Sequence, residues 1–538
     1  MTESGKEELS VEIDVIIPVH NAAETIEETV HLAMYQVIPG RLLSSFLEKY
    51  SLSINVCCYD DGSTDESWQY LYRLQEYYKN NNKNYSTKNG DKKDGDNSGI
   101  VIPACLKIQK SPDGVGRGAG YARNRAAEIS SRRLSTEKGI IDAHKSALVE
   151  EQFLCLLDSD DTMHKHRIAE QVWAMMSLPR EDRKRTLMGC KVKRDPPDST
   201  WHYTQWANGL SDDRLYLERF REVTILQPTW MMCRSLFQHL GGYIEAPKVS
   251  ESVSDEQVYS ETRFQKIQHS SDDGILRLVH PTFDNSQTLR LAEDLRFFHS
   301  HLSANGILKL HRPKHDPNMA LVIYRHRQNQ SQSYQTSRKL LLNLRVLAFE
   351  TCVLQPQTKE GTGNTLQNNI APWQEHDGRF VVWGAGRDGK DFVKALSNHA
   401  RKRVYCFVDV DFKKIRQGFY VNKDLNINIP IVHFSLLAKD KDRQEQLLID
   451  GTGFGQIDKS RTQKGQQEKL GEQPKPKKPK LEETPLASTK EVAKAIDLNI
   501  LSELPVVVCV AMYRTGGALE RNVAAISRTE GEDLWHFS

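Results

Sequence analysis

The chain is predicted to fold as two successive α/β domains, and three observations carry that reading. From Val11 to about Cys352, short apolar runs rich in Val, Ile and Leu alternate with longer amphipathic stretches, the pattern of a mostly parallel sheet with covering helices. Turn residues follow each apolar run and precede a helical pattern, which makes each pair a βα unit. At Arg379 the order starts again, with a strand, a glycine turn and a helix in FVVWGAGRDGKDFVKAL.

In the first domain, 11–352, strands are expected at Val15 to Val19, Ile54 to Tyr59 and Phe153 to Leu157. Helices are expected over Ala23 to Tyr35, Ser67 to Tyr78 and Lys165 to Met176. Asn80 to Ser98 and Pro247 to Asn285 are polar, aperiodic stretches and read as surface insertions. In the second domain, 379–538, VYCFVDVD supplies a second strand ending at Asp411. Lys439 to Lys494, with GEQPKPKKPKLEE at its centre, has the composition of a disordered insertion, and a last strand over Leu504 to Met512 with a helix near Ala518 to Ser527 closes the fold.

Composition narrows the function classes. The 538 residues carry 73 basic and 71 acidic side chains, a formal charge of +2, so no global basic field draws the chain to nucleic acid. The polar start MTESGKEELS and the lack of any apolar run of 18 or more residues predict neither signal peptide nor membrane anchor, and hence a cytoplasmic protein. Nine cysteines without a CxxC pair read as reduced and mostly buried.

Three strand ends concentrate the groups that do chemistry. Pro18, Val19, His20 and Asn21 lead from a strand to a helix start at Ala22 to Glu24, whose free N–H groups would favour an anion, although an ordinary capped turn reads the same way. Tyr59, Asp60, Asp61, Gly62, Ser63, Thr64 and Asp65 place carboxylates where open α/β sheets bind ligands, some of them doubling as helix caps. Asp158, Ser159, Asp160 and Asp161 follow a fully apolar run. Three carboxylates in four residues repel one another unless a cation neutralises them, and hard divalent ions take such oxygens and bridge to phosphates. Between the last two lies GVGRGAGYARNRAAE, Gly114 to Glu128, whose glycines permit close backbone approach and which lacks the lysine pattern of a P-loop. Glu293 and Asp294 open an amphipathic helix, where an acidic pair compensates the dipole, and the run Val322 to Arg327 contains His326.

In this order, PVHN, YDDGSTD, the glycine loop with ARN, LDSDD, AEDL and YRH resemble glycosyltransferase family 2, inverting enzymes with the GT-A fold, over roughly Val11 to Ser333. The resemblance implies that Pro18, His20, Asn21 and Asp60 contact the uridine of a nucleotide sugar and that Arg123 and Asn124 line the same pocket. It also implies that Asp158 and Asp160 are the DxD pair, Asp158 facing ribose and the metal's water shell and Asp160 holding Mn²⁺ or Mg²⁺, with His326 assisting the metal and Asp294 acting as the base. Longer segments, among them GCKVKRDPPDSTWHYTQWANGL and CFVDVDFKKIRQGFY, narrow the resemblance to tRNA-modifying galactosyltransferases, which implies a UDP-galactose donor and a tRNA acceptor. The rival reading is a glycan-extending N-acetylglucosaminyltransferase, whose usual anchor and disulfides this sequence lacks. In the second domain GAGRDG, with Asp409 and Asp411 beyond the next strand, meets the dinucleotide fingerprint in outline. Arg401, Lys402, Arg403, Lys413, Lys414 and Arg416 are the residues expected to contact tRNA phosphate there.

Overall fold

The computed structural model describes residues 9–46, 49–85, 99–131, 149–245, 275–280, 287–326, 336–354, 371–450, 492, 496–511 and 515–537. The chain divides into two compact units, Met1–Leu344 and Arg345–Ser538.

The first unit is built on a seven-stranded sheet. Its strands are β1 (Leu9–Val19), β2 (Tyr50–Asp60), β3 (Ala104–Lys110), β4 (Val149–Leu156), β5 (Thr186–Cys190), β6 (Met231–Cys233) and β7 (Ile307–His311), in the spatial order β7-β5-β6-β4-β1-β2-β3. Strands β4, β1, β2 and β3 run parallel, as expected for a sheet fed by helical crossovers. Only β6 is antiparallel to its neighbours. The central strands are apolar on both faces: Val15, Ile16 and Ile17 of β1, and Phe153, Leu154 and Cys155 of β4, are consecutive and buried, so the continuous runs read as a sheet covered on two sides. Helices α1 (Ile26–Met34), α2 (Ser67–Tyr85), α3 (Ala119–Ser131), α4 (Arg167–Met176), α5 (Trp201–Gly209) and α6 (Glu293–Ser303) accompany it. A small sheet that the sequence pattern does not announce pairs Val322–Arg325 with Thr162–Met163 and with Val192–Asp195.

The second unit holds β8 (Phe380–Trp383), β9 (Val404–Asp409), β10 (Phe419–Asn422), β11 (Ile427–His433), β12 (Val506–Val508) and β13 (Leu534–His536), in the order β10-β11-β9-β8-β12-β13. Helix α7 (Arg387–Ala395) follows β8. The chain fills one side of β8 first and then returns to the other, so the strand order reverses between β8 and β12. Two expectations change here. The last strand is β13, not the one near Leu504, because Leu534, Trp535 and His536 pair in parallel with β12 and are buried. The stretch expected to be disordered from Lys439 opens with a helix over Lys441–Asp450 that buries Leu447, and 451–491 lies outside the described residues. Of the expected insertion Asn80 to Ser98, the first six residues continue helix α2 and 86–98 lies outside the described residues; of Pro247 to Asn285, only 275–280 is described, with Leu278 and Val279 buried.

All nine cysteines are free, seven of them buried, and burial lifts several of their thiols well above the ordinary range, so they act as apolar core groups. No helix among the described residues is long and apolar enough to cross a membrane.

Candidate active site

The carboxyl ends of β1, β2 and β4 in the first unit carry the candidate site, and their motifs are tied into one block. Asn21 has a left-handed backbone (φ 49°). Its N–H donates to Ser63 Oγ at 3.0 Å and its side-chain oxygen accepts the Thr64 N–H at 2.8 Å. The Ala22 N–H donates to Ser67 Oγ at 2.8 Å and the Ala23 N–H to Asp65 Oδ2 at 3.0 Å. Two of the N–H groups expected to be free at the start of the first helix, those of Ala22 and Ala23, are therefore occupied by Ser67 and Asp65, and the helix proper begins only at Ile26.

The glycine loop lies directly over Asp61. Asp61 Oδ2 accepts the N–H groups of Arg117 and Gly118, both at 2.7 Å, and its carbonyl accepts from His20 Nδ1 at 3.0 Å. Gly62, at φ +75°, has no room for a side chain, since a Cβ there would stand 2.4 Å from the Gly114 carbonyl oxygen. Two acceptors remain unmatched in this tight packing. Asp60 accepts the Ser63 N–H through Oδ1 at 2.9 Å, but its Oδ2 is buried without a partner, and so is Oδ1 of Asp61. Burial raises the Asp61 carboxyl above its ordinary value, against the two N–H donors that lower it. An orphaned buried acceptor at a strand end is the arrangement a donating ligand group would complete.

Arg123, on α3 and 3% exposed, joins the other two acidic clusters. Its guanidinium donates to Asp158 at 2.5 Å and to Glu293 at 2.8 Å, so one buried cation bridges the end of β4 to the start of α6. Asn124, the next residue, is used differently. Both of its N–H donors are engaged, by the Tyr243 carbonyl at 3.0 Å and Glu245 at 2.7 Å, and its oxygen accepts the Tyr243 N–H at 2.9 Å. It fastens the Tyr243 segment and has no donor left for a nucleotide.

Beyond β4, the Ser159 carbonyl is held by Thr25 and Thr29, and the fully buried Asp161 accepts the Arg325 N–H through Oδ1 at 2.9 Å while its Oδ2 has no partner. Burial, then the charges of Asp158 and Asp160, push the Asp161 carboxyl well above the usual carboxylate range. Arg325 thereby anchors the strand that carries His326, whose own N–H donates to the Asp195 carbonyl at 2.8 Å. Among the described residues no three His, Cys, Asp or Glu side chains form a complete metal-ligand set. A hard divalent ion needs fewer, taking one or two carboxylates and completing its shell with water and substrate phosphates. The negative charge that Asp158 and Asp160 impose on Asp161 fits such a cation, and those two are the residues that would hold it.

Asp294 lies in the first turn of α6, beside Glu293. Burial, then the charge of Glu293 and that of Glu222, push its carboxyl up to about 7. The buried Tyr203 phenol feels both Glu222 and Asp294, and its hydroxyl donates to the Val223 carbonyl at 2.7 Å. The structure thus adds Glu222, Tyr203 and Tyr243 to the residues singled out from sequence, and gives Asp61, Asp161 and Glu293, seen there only as members of acidic clusters, their partners. The acidic types of Glu293 and Asp61 are visible there, whereas their partners lie too far along the chain to be read from spacing.

Residues 14–100 match the family model described as glycosyl transferase family 2, a span that runs from β1 past the Asp60 and Asp61 strand end. The fold is a mixed α/β fold around a central, largely parallel sheet. Among solved structures, the chain is similar to S. aureus TarS 1-349 in complex with UDP-GlcNAc, at 14% identity and a TM-score of 0.34, covering 73% of this chain and 84% of that one. It is also similar to S. aureus TarS itself, at 15% identity and a TM-score of 0.33, covering 73% of this chain and 50% of that one.

Proposed function

We propose that the first unit is an inverting hexosyltransferase that moves galactose from UDP-galactose to queuosine in a cytoplasmic tRNA for tyrosine, giving galactosyl-queuosine. The observation that carries the reaction type is the Arg123 bridge between Asp158 and Glu293, which links the diphosphate-side carboxylates to the helix start bearing Asp294. The family 2 match over 14–100 supports the nucleotide-sugar class.

Asp294 takes the proton from the attacking hydroxyl as its oxygen bonds to the anomeric carbon and UDP departs, a single displacement that inverts that carbon. A carboxyl pushed up to about 7 is well matched to this role near neutral pH. Asp60 Oδ2 accepts an N–H or hydroxyl of the nucleoside, with Pro18, His20 and Asn21 beside it. Asp158 and Asp160 would hold Mn²⁺ or Mg²⁺, with His326 as the further residue offered to it, and such an ion would supply positive charge at the diphosphate. Support for the acceptor comes from the segments Gly189 to Leu210, Gln227 to Phe237, Cys406 to Tyr420 and Leu534 to Ser538, which resemble queuosine-tRNA galactosyltransferase.

The test incubates the protein with each UDP-sugar, Mn²⁺ and queuosine-containing tRNA and weighs the nucleosides released by digestion. A hexose gain with UDP-galactose alone is the expected result. Transfer from UDP-N-acetylglucosamine to a glycan acceptor would favour the rival β-1,3-N-acetylglucosaminyltransferase reading, and no gain with any donor would sink the assignment.

A further inference from the structure

The second unit contains a cleft of about 260 Å³ that glycosyl transfer leaves unused. It opens at the carboxyl ends of β8, β9 and β12, where the strand order reverses, the place at which open α/β sheets take ligands. Its lining includes the apolar side chains of Val510, Ala511 and Leu519 and the cations of Arg387 and Lys414.

The glycines beneath the cleft have different reasons to be glycine. At Gly384, φ is +109° and a Cβ would stand 2.6 Å from Val510 Cγ2; at Gly389, a Cβ would meet the Gly384 carbonyl oxygen at 1.9 Å. Those two are required by internal packing. Gly386 is not: its backbone (φ −82°, ψ −164°) suits any residue, and the nearest atom to an added Cβ is Lys414 Nζ at 3.8 Å. The space above Gly386 is therefore open to the cleft, and no side chain caps α7, which starts one residue later.

Asp409 occupies the position whose carboxylate would accept a ribose hydroxyl in a dinucleotide fold. Here it is fully engaged within the chain: Oδ2 accepts the Ala385 N–H at 2.8 Å and the Lys414 ammonium at 2.9 Å, and Oδ1 accepts the Asp411 N–H at 3.0 Å. Asp411 in turn accepts the Lys413 N–H at 2.9 Å. The ribose acceptor of the fingerprint is thus occupied, and the volume of about 260 Å³ falls just below the roughly 300–1,000 Å³ usual for small-molecule pockets. We propose that this cleft binds a phosphorylated nucleoside of mononucleotide size, its phosphate over Gly386 and beside Arg387, its ring against Val510, Ala511 and Leu519.

Equilibrium dialysis of the full chain against labelled ADP and UDP tests this, in a background carrying Asp60→Asn and Asp160→Asn so that the first unit's site does not contribute. One equivalent of nucleotide bound in that background is expected. Gly386→Val, whose added Cβ meets no atom closer than Lys414 Nζ at 3.8 Å, and Arg387→Glu, at a side chain 71% exposed, should each weaken binding at least tenfold in a chain that still unfolds cooperatively. Glycosyl transfer by either single variant should match the parent, which keeps this result separate from the fate of the transferase reading. The proposal is overturned if no nucleotide binds in that background or if both variants bind as the parent does. NADH binding more tightly than both mononucleotides would overturn the size argument, and inorganic phosphate competing as well as ADP would overturn the ring wall.

Discussion

Both units place acidic residues at the carboxyl ends of parallel strands, yet they use them in opposite ways. In the second unit the chain itself satisfies Asp409, through two backbone N–H groups and Lys414. In the first, Asp60 Oδ2, Asp61 Oδ1 and Asp161 Oδ2 are buried without partners, and Asp294 is held partly protonated by burial and by Glu293 and Glu222. A fold that closes its acids gains stability from them. One that leaves them open carries an electrostatic cost that a bound donor or cation removes.

The largest expected effect breaks the open side. Asp294→Asn should lower kcat by about 10²–10⁴-fold, the range for loss of a positioned base, with UDP-sugar binding retained in a titration. The pH dependence has two signs. Ionised base accumulates as pH rises through about 7, so kcat/KM should have an acid limb there. For stability, the native chain keeps a proton that the unfolded chain, with Asp294 near its ordinary 3.8, has lost. That contribution is full below the ordinary value and disappears as pH rises through about 7. Asp294→Asn should therefore melt higher than the parent at pH 8 and alongside it near pH 4.

Next in size is the Arg123 bridge. Replacing it by Met leaves Asp158 and Glu293 without their shared buried cation, and removal of one partner of a buried ion pair costs about 3–5 kcal/mol. Denaturant unfolding followed by a probe in the first unit should show that loss. A double variant, Arg123→Met with Glu293→Gln, should recover part of it, because one of the two stranded charges is gone; no recovery would argue against the bridge.

The contrast itself is tested by paired amidations. Asp60→Asn should cost little stability, since Oδ2 has no partner to lose, and should weaken donor binding about tenfold or more. Asp409→Asn should do the reverse, destabilising the second unit by about 1–3 kcal/mol through the abandoned Lys414 and N–H groups while leaving transfer kinetics unchanged. If Asp409→Asn altered KM for the donor and Asp60→Asn did not, the division between an open and a closed strand end would be wrong.

Much of this is legible in the sequence because it is local. Continuous apolar runs announce β1, β2 and β4, and the motifs that end them mark where chemistry would sit. What is not legible depends on distance along the chain. Arg123 and Glu293 are 170 residues apart, and no period or spacing connects them. Asp65 reads as part of a cap for its own helix, but it and Ser67 also close the N–H groups of a preceding turn more than 40 residues away. Strand β13 is only three residues long, too short for an alternation to register, and its place is set by pairing with β12. The ARN motif draws Asn124 into the donor pocket, whereas its partners Tyr243 and Glu245 lie in a segment whose proximity only the fold creates.

The smallest expected effect concerns the basic residues proposed to meet tRNA phosphate. Arg401 donates to the carbonyls of Val393, Lys394 and Leu396, and Arg403 to those of Gly378, Leu354 and Trp373, while Lys414 pairs with Asp409. These three hold the second unit together, so their substitution would report stability and not docking. Lys402, Lys413 and Arg416 remain exposed. Replacing those three with Gln should leave melting unchanged. If they contact phosphate, the slope of log affinity for tRNA against log salt should flatten by about 0.7–0.9 for each phosphate no longer neutralised. An unaltered slope would remove the basic face of the second unit from acceptor binding and leave its cleft as the unit's remaining candidate for ligand recognition.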